Sequence, residues 1–70
     1  MNYQSVSSSN IAAIGYDKNS STLGIQFNNG GEYEYDNVPK SVFDAFLVAS
    51  SHGRFFHANI KDVYGYRKIR

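Results

Sequence analysis

Ten consecutive residues, Gly30-Gly31-Glu32-Tyr33-Glu34-Tyr35-Asp36-Asn37-Val38-Pro39, hold a turn, a strand and the start of a helix. Side chains alternate across an extended strand, so Tyr33 and Tyr35 share one face while Glu32 and Glu34 share the other. Pro39 presets the backbone angle with which a helix begins. Which of the two faces turns inward decides the fold, and it decides whether the tyrosines are core or an open platform.

The segments before this stretch settle the matter. Asn10-Ile11-Ala12-Ala13-Ile14-Gly15-Tyr16-Asp17 reads as a first strand in which Ile11 and Ile14 differ in parity. A bulge near Ala12 and Ala13 would re-phase it, or Ile11 lies on the outer face. Thr22-Leu23-Gly24-Ile25-Gln26-Phe27-Asn28 alternates cleanly, with Leu23, Ile25 and Phe27 on one face. A turn centred between Asn19 and Ser20 pairs Tyr16 with Leu23 and Ile14 with Ile25, apolar against apolar. At the second hairpin, a two-residue Asn29-Gly30 turn would set Phe27 opposite Glu32 and Ile25 opposite Glu34. That register buries two carboxylates, at a cost of several kcal/mol. A three-residue Asn29-Gly30-Gly31 loop with Gly31 in the left-handed position pairs Phe27 with Tyr33 and Ile25 with Tyr35 instead. The tyrosines therefore point inward. Glu32 and Glu34 are expected to be solvated, beside a flat outer face of Ala13, Gly15, Gly24 and Gln26 that another sheet or subunit can approach.

Pro39 opens a helix expected to reach about Ser51, with Val42, Phe43, Phe46 and Leu47 forming its apolar stripe. Gly53 is its expected C′ residue, and His52 sits where the helix dipole favours a cation. A second helix is expected from Arg54 to Asp62, with Phe56, Ile60 and Val63 on one face. The fold class is α+β: a three-stranded antiparallel β-meander with two short helices packed on one face, in the order β-β-β-α-α. Residues 1–9 read as a flexible N-terminal arm, 10–66 as the folded domain and 67–70 as a basic C-terminal tail.

Seventy residues make a single domain with a thin core, and the absence of cysteine leaves no disulfide to staple it. No apolar run reaches the ~20 residues of a membrane span, and no signal-peptide h-region stands at the N-terminus. A cytoplasmic location without membrane association is the expectation. Net charge is +1, but it is unevenly spread. Residues 1–53 carry Lys18 and Lys40 against five acids, a balance of −3, whereas residues 54–70 carry five cations against Asp62, a balance of +4. An acidic front and a basic tail suggest an anion-binding end or head-to-tail self-contact.

At Gly15-Tyr16-Asp17, Tyr33-Glu34-Tyr35, Val38-Pro39 and Ala49-Ser50-Ser51-His52-Gly53-Arg54-Phe55-Phe56 the sequence resembles the KTSC domain. This short module occurs at the C-terminus of some lysyl-tRNA synthetases and alone in small bacterial and phage proteins. The resemblance spans about Ser9 to Tyr66, with Phe56-His57 standing where the family often has Phe-Asn. It implies an RNA-binding role and no synthetase activity, since nothing of the catalytic domain is here.

Enzyme chemistry finds little support. There is no Cys nucleophile, phosphate loop or nucleophile elbow. His52 and His57 do not share a helical face. Glu32 and Glu34 lie about 7 Å apart on a strand that offers no pocket to perturb them. No catalytic residue, metal or cofactor is expected. Binding is better supported. The hydroxyls of Tyr33 and Tyr35 can line a pocket rim, and Arg54, Lys61, Tyr64, Tyr66, Arg67, Lys68 and Arg70 interleave cations with rings suited to phosphate pairing and base stacking. The expected function is non-enzymatic binding of a phosphorylated, nucleotide-type ligand. The pocket would lie between copies of a homo-oligomer, as in small phage proteins that sequester nucleotide signals. RNA binding of a tRNA-associated kind is the alternative, and a protein–protein interaction module the second.

Overall fold

The computed structural model describes all 70 residues. Its elements are β1 Tyr3–Ser5, β2 Ile11–Asp17, β3 Thr22–Phe27, β4 Glu32–Tyr35, α1 Lys40–Leu47, α2 His52–Asn59 and β5 Tyr66–Lys68. The fold is α+β, but the antiparallel sheet has five strands, in the order β1-β2-β3-β4-β5, where three were expected. Both additional strands come from the ends of the chain, from the expected arm and the expected tail. Three-residue polar segments show no apolar alternation. They become strands because β2 and β4 each present a row of backbone groups that needs partners.

The first hairpin has the expected register, with Tyr16 opposite Leu23 and Ile14 opposite Ile25. The bulge falls between Ile11 and Ala13 and turns Ile11 into the core, where it is fully buried. The second hairpin keeps the expected facing but not the expected pairs. Its three-residue loop is Asn28-Asn29-Gly30, one residue earlier than expected, with Gly30 at φ +95°. The Phe27 amide donates to the Gly31 carbonyl at 2.8 Å, so Tyr33 faces Ile25 and Tyr35 faces Leu23. Either glycine satisfies the left-handed position; the earlier choice lengthens the ladder and sets Glu32 opposite Gln26.

Pro39 caps α1 rather than opening it, with φ −61° and ψ 146°. The Tyr16 hydroxyl donates to the Val38 carbonyl at 2.6 Å and ties the helix entry to β2. The apolar stripe packs inward as expected, with Phe46 fully buried and Val42, Phe43 and Leu47 half-buried against the core. The helix ends at Leu47 rather than Ser51, because Ser51 is the N-cap of α2 and accepts from the Arg54 amide at 3.3 Å. Gly53 thus lies in the first turn of α2, not at the end of α1. His52 still serves α1, placing Nε2 3.3 Å from the Leu47 carbonyl. Val63 is 60% exposed and does not join Phe56 and Ile60 in the core.

The outer face departs most from expectation. Gly15 and Gly24 are buried beneath Met1, Asn2 and Tyr3 of the same chain. Register places Tyr3, Gly15, Gly24, Glu34 and Arg67 in one row across all five strands. Glu32 is not solvated but only 8% exposed. Its carboxylate accepts from Arg70 Nη2 at 2.6 Å, from the Tyr3 hydroxyl at 3.2 Å and from Gln26 Nε2 at 3.5 Å. The Arg70 guanidinium, foremost, holds its pKa below the usual carboxylate value.

Candidate functional site

The inward row of tyrosines runs past the end of the helical cover. β4 carries Tyr33 and Tyr35, and β5 adds Tyr66 opposite Tyr35 and Lys68 opposite Tyr33. The last turn of α2 contributes Phe56, and the turn that follows contributes Lys61 and Asp62. Between these elements and the β3–β4 loop opens a cavity of about 630 Å³.

Its wall is aromatic. Phe27 stands edge-on to Tyr33 and to Phe56, both at 5.6 Å between ring centroids. Tyr35 meets Phe56 at 5.8 Å, and Tyr66 tilts over Tyr33 at 5.8 Å and over Tyr35 at 5.7 Å. The Tyr35 hydroxyl is pushed up to about 12, chiefly by burial, with Tyr33, Tyr66 and Asp62 adding to the effect. It remains a neutral donor throughout the physiological range. Lys61, Asp62, Lys68 and Arg70 complete the lining with Asn29, Gly30 and Gly31.

Charge pairing sorts the basic residues. Arg67 lies on the outer face, where its guanidinium pairs with Glu34 at 2.9 Å and with Asp36. Both acids hold its pKa above the ordinary arginine value. Arg70 pairs with Glu32. Lys61 and Lys68 take part in no ion pair and line the cavity. The structure thus brings together Tyr33, Tyr35, Lys61, Tyr66, Lys68 and Arg70 of the expected binding residues. It does not bring Arg54, Tyr64 or Arg67 there. Arg54 is exposed on α2, and Tyr64 packs half-buried against the core.

Phe27, Phe56 and Asp62 also line the cavity but were not foreseen as site residues. The two phenylalanines read as core, and they are core on one side and cavity wall on the other. Nothing in the local sequence marks Asp62. A second hollow of about 410 Å³ beside Tyr16 and Phe43 has Asp17 among its lining residues, and its Lys40 is bound to Asp44 at 3.0 Å. No group of three or more His, Cys, Asp or Glu side chains is placed to hold a metal ion, and no helix is long and apolar enough to cross a membrane.

Fold and cavity define a small α+β module, one five-stranded sheet with helices on one face and an aromatic groove at the β5 edge. The KTSC domain model matches residues 7–64, and the chain belongs to the KTSC domain family. It is similar over nearly its whole length to a crystallised KTSC domain protein from Yersinia pestis. The two share 45% identity and a TM-score of 0.96, over 99% of this chain and 97% of that one. A protein of Tsukamurella paurometabola is 45% identical over 58 residues, which are 83% of this chain and 87% of that protein. A lysine–tRNA ligase of Nostoc is 36% identical over 59 residues, 84% of this chain but 10% of the ligase.

Proposed function

We propose that this chain is a non-enzymatic binding module for a phosphorylated, nucleotide-type ligand held in the aromatic cavity. One observation carries the reading: five aromatic rings and two lysines that belong to no ion pair line a single cavity of about 630 Å³, with Asp62 beside them. Small-molecule sites span roughly 300–1,000 Å³ and combine an apolar wall with a few polar groups. Here the rings offer a stacking surface for a base, and Lys61 and Lys68 offer charge for a phosphate. The cavity opens to solvent where Tyr66 is 61% exposed. The reading includes a homo-oligomer in which a second copy covers that opening.

The similar segment in lysine–tRNA ligases favours RNA as the second reading. Against it, Arg67 and Arg70 are already paired within the chain, which leaves few cations for a polyphosphate backbone.

Titrating ¹⁵N-labelled protein with AMP and with a short single-stranded RNA, each at 50 and 200 mM salt, separates the readings. The expected outcome is that AMP shifts the amides around Tyr33, Tyr35 and Tyr66 with a modest salt dependence. Replacing Lys61 and Lys68 together by alanine should weaken AMP by about tenfold or more, while Arg54→Ala changes nothing. RNA binding with a steep salt slope would reverse the order of the two. If neither probe moves a resonance, an interaction module replaces both.

A further inference from the structure

The cavity holds a feature that a plain anion site would avoid. Asp62, an exposed carboxylate, lies in the lining beside Lys61, and its charge adds a little to the opposition to ionisation of the Tyr35 hydroxyl. It takes part in none of the chain's ion pairs. Its backbone is left-handed, at φ +63°. Few residues other than glycine adopt that conformation, and aspartate is among those that tolerate it. Three backbone bonds fix the turn around it: Lys61 N–H to Phe56 O at 2.9 Å, Val63 N–H to Ile60 O at 3.1 Å and Tyr64 N–H to Ile60 O at 3.3 Å. The carboxylate is thus carried on a braced turn rather than a loose loop.

A carboxylate beside two lysines repels the phosphate those lysines attract, unless the ligand brings hydrogen-bond donors to it. A carboxylate accepts through two oxygens and so suits two adjacent donors, as where an acidic residue accepts from a ribose hydroxyl in dinucleotide-binding folds. We infer that Asp62 is a specificity residue, selecting a nucleotide that presents two adjacent donors beside its stacked base. The ribose cis-diol and the N1–H/N2–H edge of guanine are the two sources of that chemistry. The inference rests on the nucleotide reading above and narrows it: the lysines set affinity for the phosphate, and Asp62 sets which nucleotide is kept.

The test uses four probes, AMP, dAMP, dGMP and inorganic phosphate, titrated by NMR into the wild type and Asp62→Asn. Asparagine keeps the left-handed backbone at little cost, so the variant should retain the wild-type spectrum and melting temperature. AMP should bind about tenfold more tightly than dAMP if the diol is read, or dGMP more tightly than dAMP if guanine is read. Either preference should fall to near unity in Asp62→Asn, while phosphate binds the variant at least as well as the wild type. Nucleotides that bind without either preference, or keep it in Asp62→Asn, would overturn the role of Asp62 and leave the nucleotide reading standing. If no nucleotide binds the wild type, both readings fall.

Discussion

Gly24 sits beneath Tyr3 with no room for a methyl group, and this makes the outer face testable. A Cβ at Gly24 would lie 2.8 Å from Tyr3 Cζ and 2.6 Å from Met1 Sδ, with the Tyr3 hydroxyl closer still. Carbon atoms rest comfortably at about 3.5–4.0 Å, so the ring must move by about 1 Å. That movement breaks the 3.2 Å bond from Tyr3 to Glu32. Overpacking of this kind costs about 1–3 kcal/mol, while replacing a strand glycine by alanine returns about 0.5–1 kcal/mol. Gly24→Ala should therefore destabilise the protein by about 1–2 kcal/mol. In a Tyr3→Ala background the ring is gone and the flexible Met1 thioether can swing aside, so the same substitution should be neutral or slightly stabilising. Urea denaturation of the four proteins gives the coupling directly. Gly15→Ala is the control: its Cβ would meet the Asn2 backbone carbonyl at 2.8 Å, and that penalty should persist without Tyr3. An equal Gly24→Ala penalty in both backgrounds would refute the account.

Three further outcomes follow from named contacts. Glu32 titrates below its ordinary value in the fold, so its contribution is complete above that value and lost as pH falls through the lower, folded pKa. Glu32→Gln should flatten the acid limb of stability measured by urea titration across that window. The Tyr3 and Tyr35 phenols are pushed up to about 12, so the stability they carry is present below pH 10 and lost as pH rises through about 12. Ultraviolet titration should show two tyrosines ionising late, and one late tyrosine in Tyr3→Phe. Tyr16→Phe should cost about 1–2 kcal/mol by leaving the Val38 carbonyl without its partner. That loss should appear as a fall of about 4–8 °C per kcal/mol in melting temperature.

The parts of the fold legible in the sequence are those that apolar parity controls. Ile14, Tyr16, Leu23 and Ile25 admit one sensible pairing, and burying Glu32 and Glu34 in the core would be too costly, so both tyrosines had to face inward. Parity cannot choose between registers that differ by two, and Gly30 and Gly31 fit the left-handed loop position equally well. The edge strands were hidden for another reason. Tyr3–Ser5 and Tyr66–Lys68 carry no periodic signal, and only the open edges of β2 and β4 draw them in. That same pairing decides the binding residues. Once β5 lies beside β4, alternation sends Arg67 to the acids of the outer face and Lys68 to the cavity.

The clasp at Glu32 has a consequence for communication across the sheet. Its Oε1 holds Arg70, which also lines the cavity, and its Oε2 holds Tyr3 on the opposite edge strand. A ligand that draws Arg70 away from Glu32 strips the carboxylate of its main counter-charge, and the Tyr3 hydroxyl becomes its principal remaining donor. Were a ligand in the cavity to move Arg70 in this way, linkage would require that its occupancy and the attachment of the first strand through Tyr3 depend on one another.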